Sequence, residues 1–272
     1  MKKRNAFARL LSNTATWLVL FVFSFPFIWM VMASFKTQVQ IQSPGNFFWF
    51  RPTGRNYAEV FNQYHFFKYM INSFIVAIGS TLASLLLGLP AAYGIARYRL
   101  NGLGLTILAA RIIPGISFLI PWFIIFNSLG LVDTYTALIL SHMLVGLPFV
   151  IWIMISYFEA LPHEIEEAGA IDGCGKMKVF LRIVLPISGP GVMTASLMSI
   201  IFSWNNFMFS IILAGEKTKT LPIAIFNFLS YSEVNWGGLM AAACIITLPV
   251  LVIALAAQKF IINGLAAGAV KG

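Results

Sequence analysis

The sequence predicts an all-α integral membrane protein with six transmembrane helices, and three observations carry that prediction. Mean hydropathy is +0.86 and 10% of residues are charged, whereas soluble domains carry about 25%. Apolar runs of about 20 residues, the length that spans a hydrocarbon core, recur six times along the 272 residues. Inside those runs stand Arg111, His142 and, near one end, Lys259, with no acidic residue at all. A soluble chain of this composition would expose apolar patches large enough to drive aggregation.

The first run covers residues 15–34. Met1-Lys2-Lys3-Arg4 ahead of it is similar to the start of a secretory signal. The apolar segment is longer than the usual length of about 7–15 residues, and no small-x-small cleavage site follows. An uncleaved first span is expected. The longest connection outside the bilayer comes next, residues 36–67, with turn signals at Ser43-Pro44-Gly45 and Pro52-Thr53-Gly54. It contains Phe47-Phe48-Trp49-Phe50, which suits either the headgroup level of the bilayer or a neighbouring subunit.

The remaining runs are residues 72–95, 103–126, 135–157, 192–213 and 238–262. Several contain Gly or Pro: Gly88 and Pro90, Pro114 and Pro121, Gly146 and Pro148, and Pro249. Proline removes a backbone hydrogen bond, and membranes tolerate the break where protein or trapped water satisfies the freed carbonyl. The other outer loops, residues 127–134 and 214–236, are short. No segment outside the bilayer is large enough for a catalytic domain, so residues 1–272 are expected to form one permeation domain.

Lys and Arg in the loops set orientation. With the N-terminus inside, the cytoplasmic side holds Lys2, Lys3, Arg4, Arg9, Arg97, Arg99, Lys176, Lys178, Arg182, Lys259 and Lys271. The outer side holds Lys36, Arg51, Arg55, Lys68, Lys217 and Lys219. Both termini are therefore expected in the cytoplasm. The net charge of +9 reflects topology and attraction to membrane lipid, and gives no reason to expect nucleic-acid binding. Cys174 falls in a cytoplasmic loop and Cys244 in the sixth run, so neither a disulfide nor a metal site is expected.

The cytoplasmic loop of about 158–186 concentrates the scarce charge: Glu164, Glu166, Glu167, Asp172, Lys176, Lys178 and Arg182. Pro162 suits a first helical position, and the three glutamates complement the positive end of a helix dipole. Leu161, Ile165 and Ala168 make a narrow apolar stripe. Gly173 is suited to end the helix in the left-handed conformation. A second amphipathic piece follows, with Lys178 and Arg182 four apart, before Pro186 and Pro190. A plain connector needs two or three charges. This helix–Gly–helix element instead has the character of a surface that another protein grips.

Glu167-Ala168-Gly169, three residues, Gly173, nine residues, then Ile183-Val184-Leu185-Pro186 resembles the "EAA" loop of permease subunits of binding-protein-dependent ABC importers. The spacing agrees throughout, and Gly169 stands where Ala is usual. Residues 51–61, 72–99, 110–140, 204–215 and 264–272 resemble the carbohydrate-uptake, maltose-type branch, with Asn206 where that branch often has Glu. The resemblance implies six transmembrane helices of the importer-permease type and a short cytoplasmic coupling helix that sits in a groove of an ATPase. It implies coupling roles for Glu166, Glu167, Ala168, Gly169, Asp172, Gly173, Ile183, Leu185 and Pro186. It further implies a second homologous permease in a heterodimer, two copies of the ATPase, and an extracellular or periplasmic sugar-binding protein. ATP and Mg would bind the ATPase, since this chain has no phosphate loop: no Gly lies five residues before Gly175, and Met177 stands in the Ser/Thr position. The substrate would be a sugar, oligosaccharide or polyol crossing a bacterial or archaeal cytoplasmic membrane.

Rival classes fare worse. A proton- or sodium-coupled secondary transporter would typically place a carboxylate inside a span, and none is there. A membrane enzyme finds no metal spacing among His65, His142 and His163, and His142 is expected to be a packed, hydrogen-bonded residue. For the substrate pathway the candidates are Arg111, Trp204, Asn205 and Asn206. A buried Arg needs partners; carbonyls freed by Pro114 or Pro148, the amides of Asn205 or Asn206, and groups on the second permease are the candidates. Trp204 offers an apolar face for a sugar ring. The same residues also fit a fixed interhelical hydrogen-bond hub.

Overall fold

The computed structural model describes residues 6–229 and 234–269, which are helical over most of their length. Lys2, Lys3, Arg4 and Lys271, on which part of the orientation argument rests, lie outside the described residues, as do the side chains of Arg9 and Lys259. The chain forms two compact units, residues up to Phe66 with Ile225–Leu248, and Phe67–Ala224 with the stretch from Pro249.

In the first unit, α1 (Ala6–Ser34) is long and apolar, and α2 (Gln38–Gln42) opens on a capping box between Thr37 and Gln40. α3 (Arg55–Asn62) follows the turns predicted around Pro44 and Gly54. Asn56 ties this region together by donating to Ser34 O and Lys36 O at 2.7 and 2.8 Å. The Phe47–Phe50 cluster divides. Phe47 stacks on Trp29 at 4.5 Å and accepts a 2.7 Å bond from Lys36 Nζ, which also lies 4.6 Å over the Phe50 ring. Phe47 keeps one side exposed, and Phe48 and Trp49 are more exposed still. Two of the four rings thus pack around a buried lysine.

The second unit is built around α4 (Phe66–Arg97), α5 (Asn101–Ala109), α6 (Leu119–Ser128) and α7 (Tyr135–Ala160). The charged loop itself holds α8 (Glu164–Ile171) and α9 (Lys176–Val179), and α10 (Leu185–Ile187) leads from it into α11 (Gly189–Trp204). α12 (Met208–Leu213) and α13 (Leu221–Ala224) precede the last helix, α14 (Trp236–Ala269), which begins in the first unit. α4, α7 and α11 meet through small side chains, as membrane helices do when close backbone approach replaces a hydrophobic driving force. A Cβ at Gly146 would stand 3.0 Å from Ser199 Oγ and 3.1 Å from Ser84 Oγ. Across this seam Ser80 bonds Ser203 at 3.0 Å and Thr81 bonds Ser199 at 3.1 Å.

Among the described residues, four helices are long and apolar enough to cross a membrane: Leu11–Ser34, Phe66–Arg97, Tyr135–Ala160 and Trp236–Ala256. Two expected spans are not straight. The third breaks between Asn101–Ile112 and Gly115–Ser128 with an 87° bend. Pro114 drives the residue before it out of the helical region, and Ile113 accordingly sits at φ −68°, ψ 120°. The fifth was expected to run over residues 192–213, but α11 stops at Trp204, and Asn206 Oδ1 accepts from Phe209 N (3.1 Å) to start α12 afresh. A 78° bend also separates Lys176–Ile187 from Gly189–Trp204. These bent pairs raise the number of possible spans to six.

Candidate coupling site and substrate pathway

α8 begins at Glu164 with all three glutamates in its first turn, where they face the unpaired N–H groups of the helix start. It ends in a Schellman motif. Gly173 N–H donates to Ala170 O and Cys174 N–H to Gly169 O, both at 3.0 Å, and Gly173 sits at φ +78°. Past Gly175 the chain re-enters helix as α9, then makes one π-type turn over Phe180–Val184. Pro186, lacking an N–H, falls just beyond this wider turn, so no helical donor is lost from its core.

The helix has two working faces. Inward, Gly169 is buried so closely that a Cβ there would lie 2.7 Å from Ile183 Cδ1 and 3.2 Å from Val179 Cγ2. Glu166 also turns inward. Its Oε1 pairs with Arg97 Nε at the last turn of α4, and its Oε2 accepts from Tyr93 Oη at 2.6 Å. Outward, Glu167, Ala168 and Asp172 are exposed, and Ile171 is 86% exposed. Ile183 and Leu185 are half-buried and Pro186 is exposed. Lys176 Nζ donates to Tyr98 Oη at 3.0 Å, a bond that holds its pKa above the ordinary value.

The pathway candidates come together around the two breaks. A Cβ on Gly115, just after the first break, would lie 3.5 Å from Met208 Sδ, just after the second. Arg111 closes the turn before the first break and is exposed. Its guanidinium lies over the rings of Phe149 (5.1 Å) and Phe202 (5.5 Å), so cation–π contact stands where carbonyl or amide partners were expected. Trp204 is 1% exposed and meets Phe74 edge-on at 4.7 Å, so its ring face is covered in this conformation. Asn205 is exposed and donates to Ile201 O (2.9 Å), while Asn206 caps α12.

Two features, Arg97 with Tyr93 and Asp133, were not singled out from the sequence, and a third, His142, was singled out without its partners. Arg97 was read only as a topology charge and Tyr93 was not singled out; the signal available was a basic residue in the last turn of an apolar span, four residues after a tyrosine. His142 was expected to be hydrogen-bonded, and it is: Nδ1 lies 2.8 Å from Ser203 Oγ and Nε2 3.3 Å from Ser210 Oγ. It therefore bridges α11 and α12 across their break, which no local pattern predicts. Asp133, at φ +59°, gathers the loop after α12 by accepting from Gly215 N, Thr218 N and Thr218 Oγ1 at 2.9, 3.0 and 2.8 Å. Burial alone would raise its pKa, but these donors overcome that and hold the carboxyl below its ordinary value.

Comparison with known proteins bears on the fold and the family. Residues 84–266 match the family described as binding-protein-dependent transport system inner membrane component. A trehalose/maltose transport system permease protein of Thermococcus litoralis is 36% identical over 256 residues, which is 91% of each chain. A trehalose transport system permease protein of Mycobacterium tuberculosis is 34% identical over 253 residues, 91% of this chain and 92% of that one. Among solved structures, a chain of a bacterial ABC transporter involved in alginate import superposes with a TM-score of 0.80 at 18% identity, covering 95% of this chain and 99% of that one. A helical membrane fold with breaks in its apolar runs, an EAA-type loop of matching spacing and a family match over residues 84–266 lead to one conclusion: the chain belongs to the binding-protein-dependent inner membrane components, the permease subunits of ABC importers.

Proposed function

We propose that the chain forms half of the pathway by which a sugar, oligosaccharide or polyol is imported. In this family ATP hydrolysis resides in a separate subunit. The observation that carries the reading is the α8–Gly173–α9 element, with a moored inner face and an outer face of Glu167, Ala168, Ile171 and Asp172 left exposed. An acidic helix with one large apolar side chain in water is suited to a groove that is basic at its rim and apolar at its floor. Gly169 lets α8 lie flat on residues 179–183, Gly173 sets the turn, and Ile183, Leu185 and Pro186 shape the return into α11. ATP and Mg are held by the ATPase pair and not by this chain.

The trehalose/maltose and trehalose transport system permeases among the relatives support a hydroxyl-rich substrate. A second homologous permease completes the pathway as a heterodimer, and a sugar-binding protein delivers the substrate from outside. Six crossings with both termini cytoplasmic, each bent pair counting as one, place α8 on the ATPase side of the bacterial or archaeal cytoplasmic membrane. Arg111 and Asn205, both exposed beside the paired breaks, line the route, and Trp204 meets solute when α11 moves away from Phe74.

The test is reconstitution in proteoliposomes with the partner permease, ATPase and binding protein from the same organism, scored by uptake of a labelled sugar panel. Uptake of at least one sugar should require ATP and the binding protein. Glu167→Lys should abolish both uptake and co-purification of the ATPase. Uptake that persists without the ATPase would overturn the proposal.

A further inference from the structure

Glu166 and Glu167 are adjacent and chemically alike, yet about 100° apart on a helix they meet different surroundings. Glu167 is exposed. Glu166 is spent inside the chain, one carboxylate oxygen on Arg97 and the other on Tyr93. The Arg97 side chain is 8% exposed and that of Glu166 17%, so the pair is largely removed from water. Separating it would strand a charge in a poorly solvated place, which is far more costly than losing a surface pair. Arg97 Nη2 also reaches Leu161 O (3.5 Å), the residue that ends α7. Beneath the pair, the Tyr93 ring meets Phe180 at 4.8 Å and Phe158 at 5.7 Å. The ends of α4 and α7, helix α8 and the turn at Phe180 thus share one ionic and aromatic joint.

We infer that Arg97, Glu166 and Tyr93 form a transmission latch, in which Glu166 is a positioning residue that hands movement of α8 to α4 while Glu167 serves the ATPase. The inference rests on the proposed docking of α8. Without the latch, the buried contacts that remain to α8 are apolar, Gly169 against Val179 and Ile183 and the flanking Leu161 and Cys174 on the core, with Lys176 on Tyr98 as an exposed bond, so it rocks in its groove while α4 follows less. Docking and transmission are then separable functions of neighbouring glutamates.

The experiment uses the full complex in proteoliposomes and measures, for each variant, ATPase content, ATP turnover and sugar uptake. Glu166→Gln keeps shape and removes charge. It should retain the ATPase and hydrolyse ATP, while sugar delivered per ATP falls about tenfold, within the range of allosteric couplings. Glu167→Gln should instead lose ATPase content. Arg97→Glu combined with Glu166→Arg should recover part of the delivery that each single change loses. Uptake per ATP unchanged in Glu166→Gln overturns the latch. So does loss of ATPase content in that variant, which makes Glu166 a docking contact, or a fall only in the amount of assembled complex. A double variant as inactive as the singles overturns the pairing. A wild-type complex without ATP-driven uptake would instead refute the proposed function.

Discussion

Gly173 is the position where one atom decides the shape of the coupling element. Its φ of +78° lies in the left-handed region, where a Cβ meets the following carbonyl at a cost of roughly 1–2 kcal/mol. A Cβ there would touch nothing else within 4 Å, so Gly173→Ala carries the backbone cost and no steric one. That is roughly a 5- to 30-fold shift between capped and uncapped turns. Gly173→Asn should cost less, since Asn tolerates this conformation. Gly173→Pro should cost most: its φ is locked near −65°, and the N–H that donates to Ala170 O is gone. The expected order of sugar uptake per assembled complex is Gly, Asn, Ala, Pro, with the proline variant inactive although inserted. Membrane abundance by immunoblot, ATPase co-purification and proteoliposome uptake measure it. An alanine variant at wild-type uptake together with an active proline variant would falsify the claim that the capped turn sets the docking angle.

Two further outcomes follow from the geometry. At Gly191, where α11 crosses α7, a Cβ would stand 2.6–2.8 Å from the Tyr157 ring atoms, well inside the ordinary contact of about 3.5 Å. Gly191→Ala should therefore lower the melting temperature of the detergent-purified protein by an amount equivalent to about 1–3 kcal/mol, and adding Tyr157→Leu should recover part of it. At Asp133 the folded-state pKa is depressed, so its stabilisation is present in full above the ordinary carboxylate value of 3.8 and is lost as pH falls through the lower folded value. Asp133→Asn should cost about 1–2 kcal/mol near neutrality, because an amide replaces a charge-assisted acceptor of backbone N–H groups. The difference from wild type should shrink in melts run below about pH 4.

Much of this molecule is legible in one dimension because the relevant physics is local. Apolar runs at residues 72–95 and 135–157 mark spans, since crossing a bilayer needs length and hydropathy and nothing distant. The stop at Gly173 is readable too, because a left-handed cap is set by one residue's own backbone and by hydrogen bonds to Gly169 and Ala170. The 87° break before Pro114 lies between these cases: the proline was visible, but whether a helix kinks or folds back depends on what receives its other half.

Only the tertiary structure decided which glutamate of the pair faces inward, because helical period tells which residues share a face and not what that face meets. The partner of Glu166 lies 69 residues away at the end of α4. Likewise Arg111 rests on the rings of Phe149 and Phe202, and Trp204 is covered by its own fold. His142 spans the interruption between α11 and α12. In a chain with so few polar groups the identity of each is plain from its letters, but its role is set by the one neighbour it finds, and that neighbour is chosen by how the helices cross.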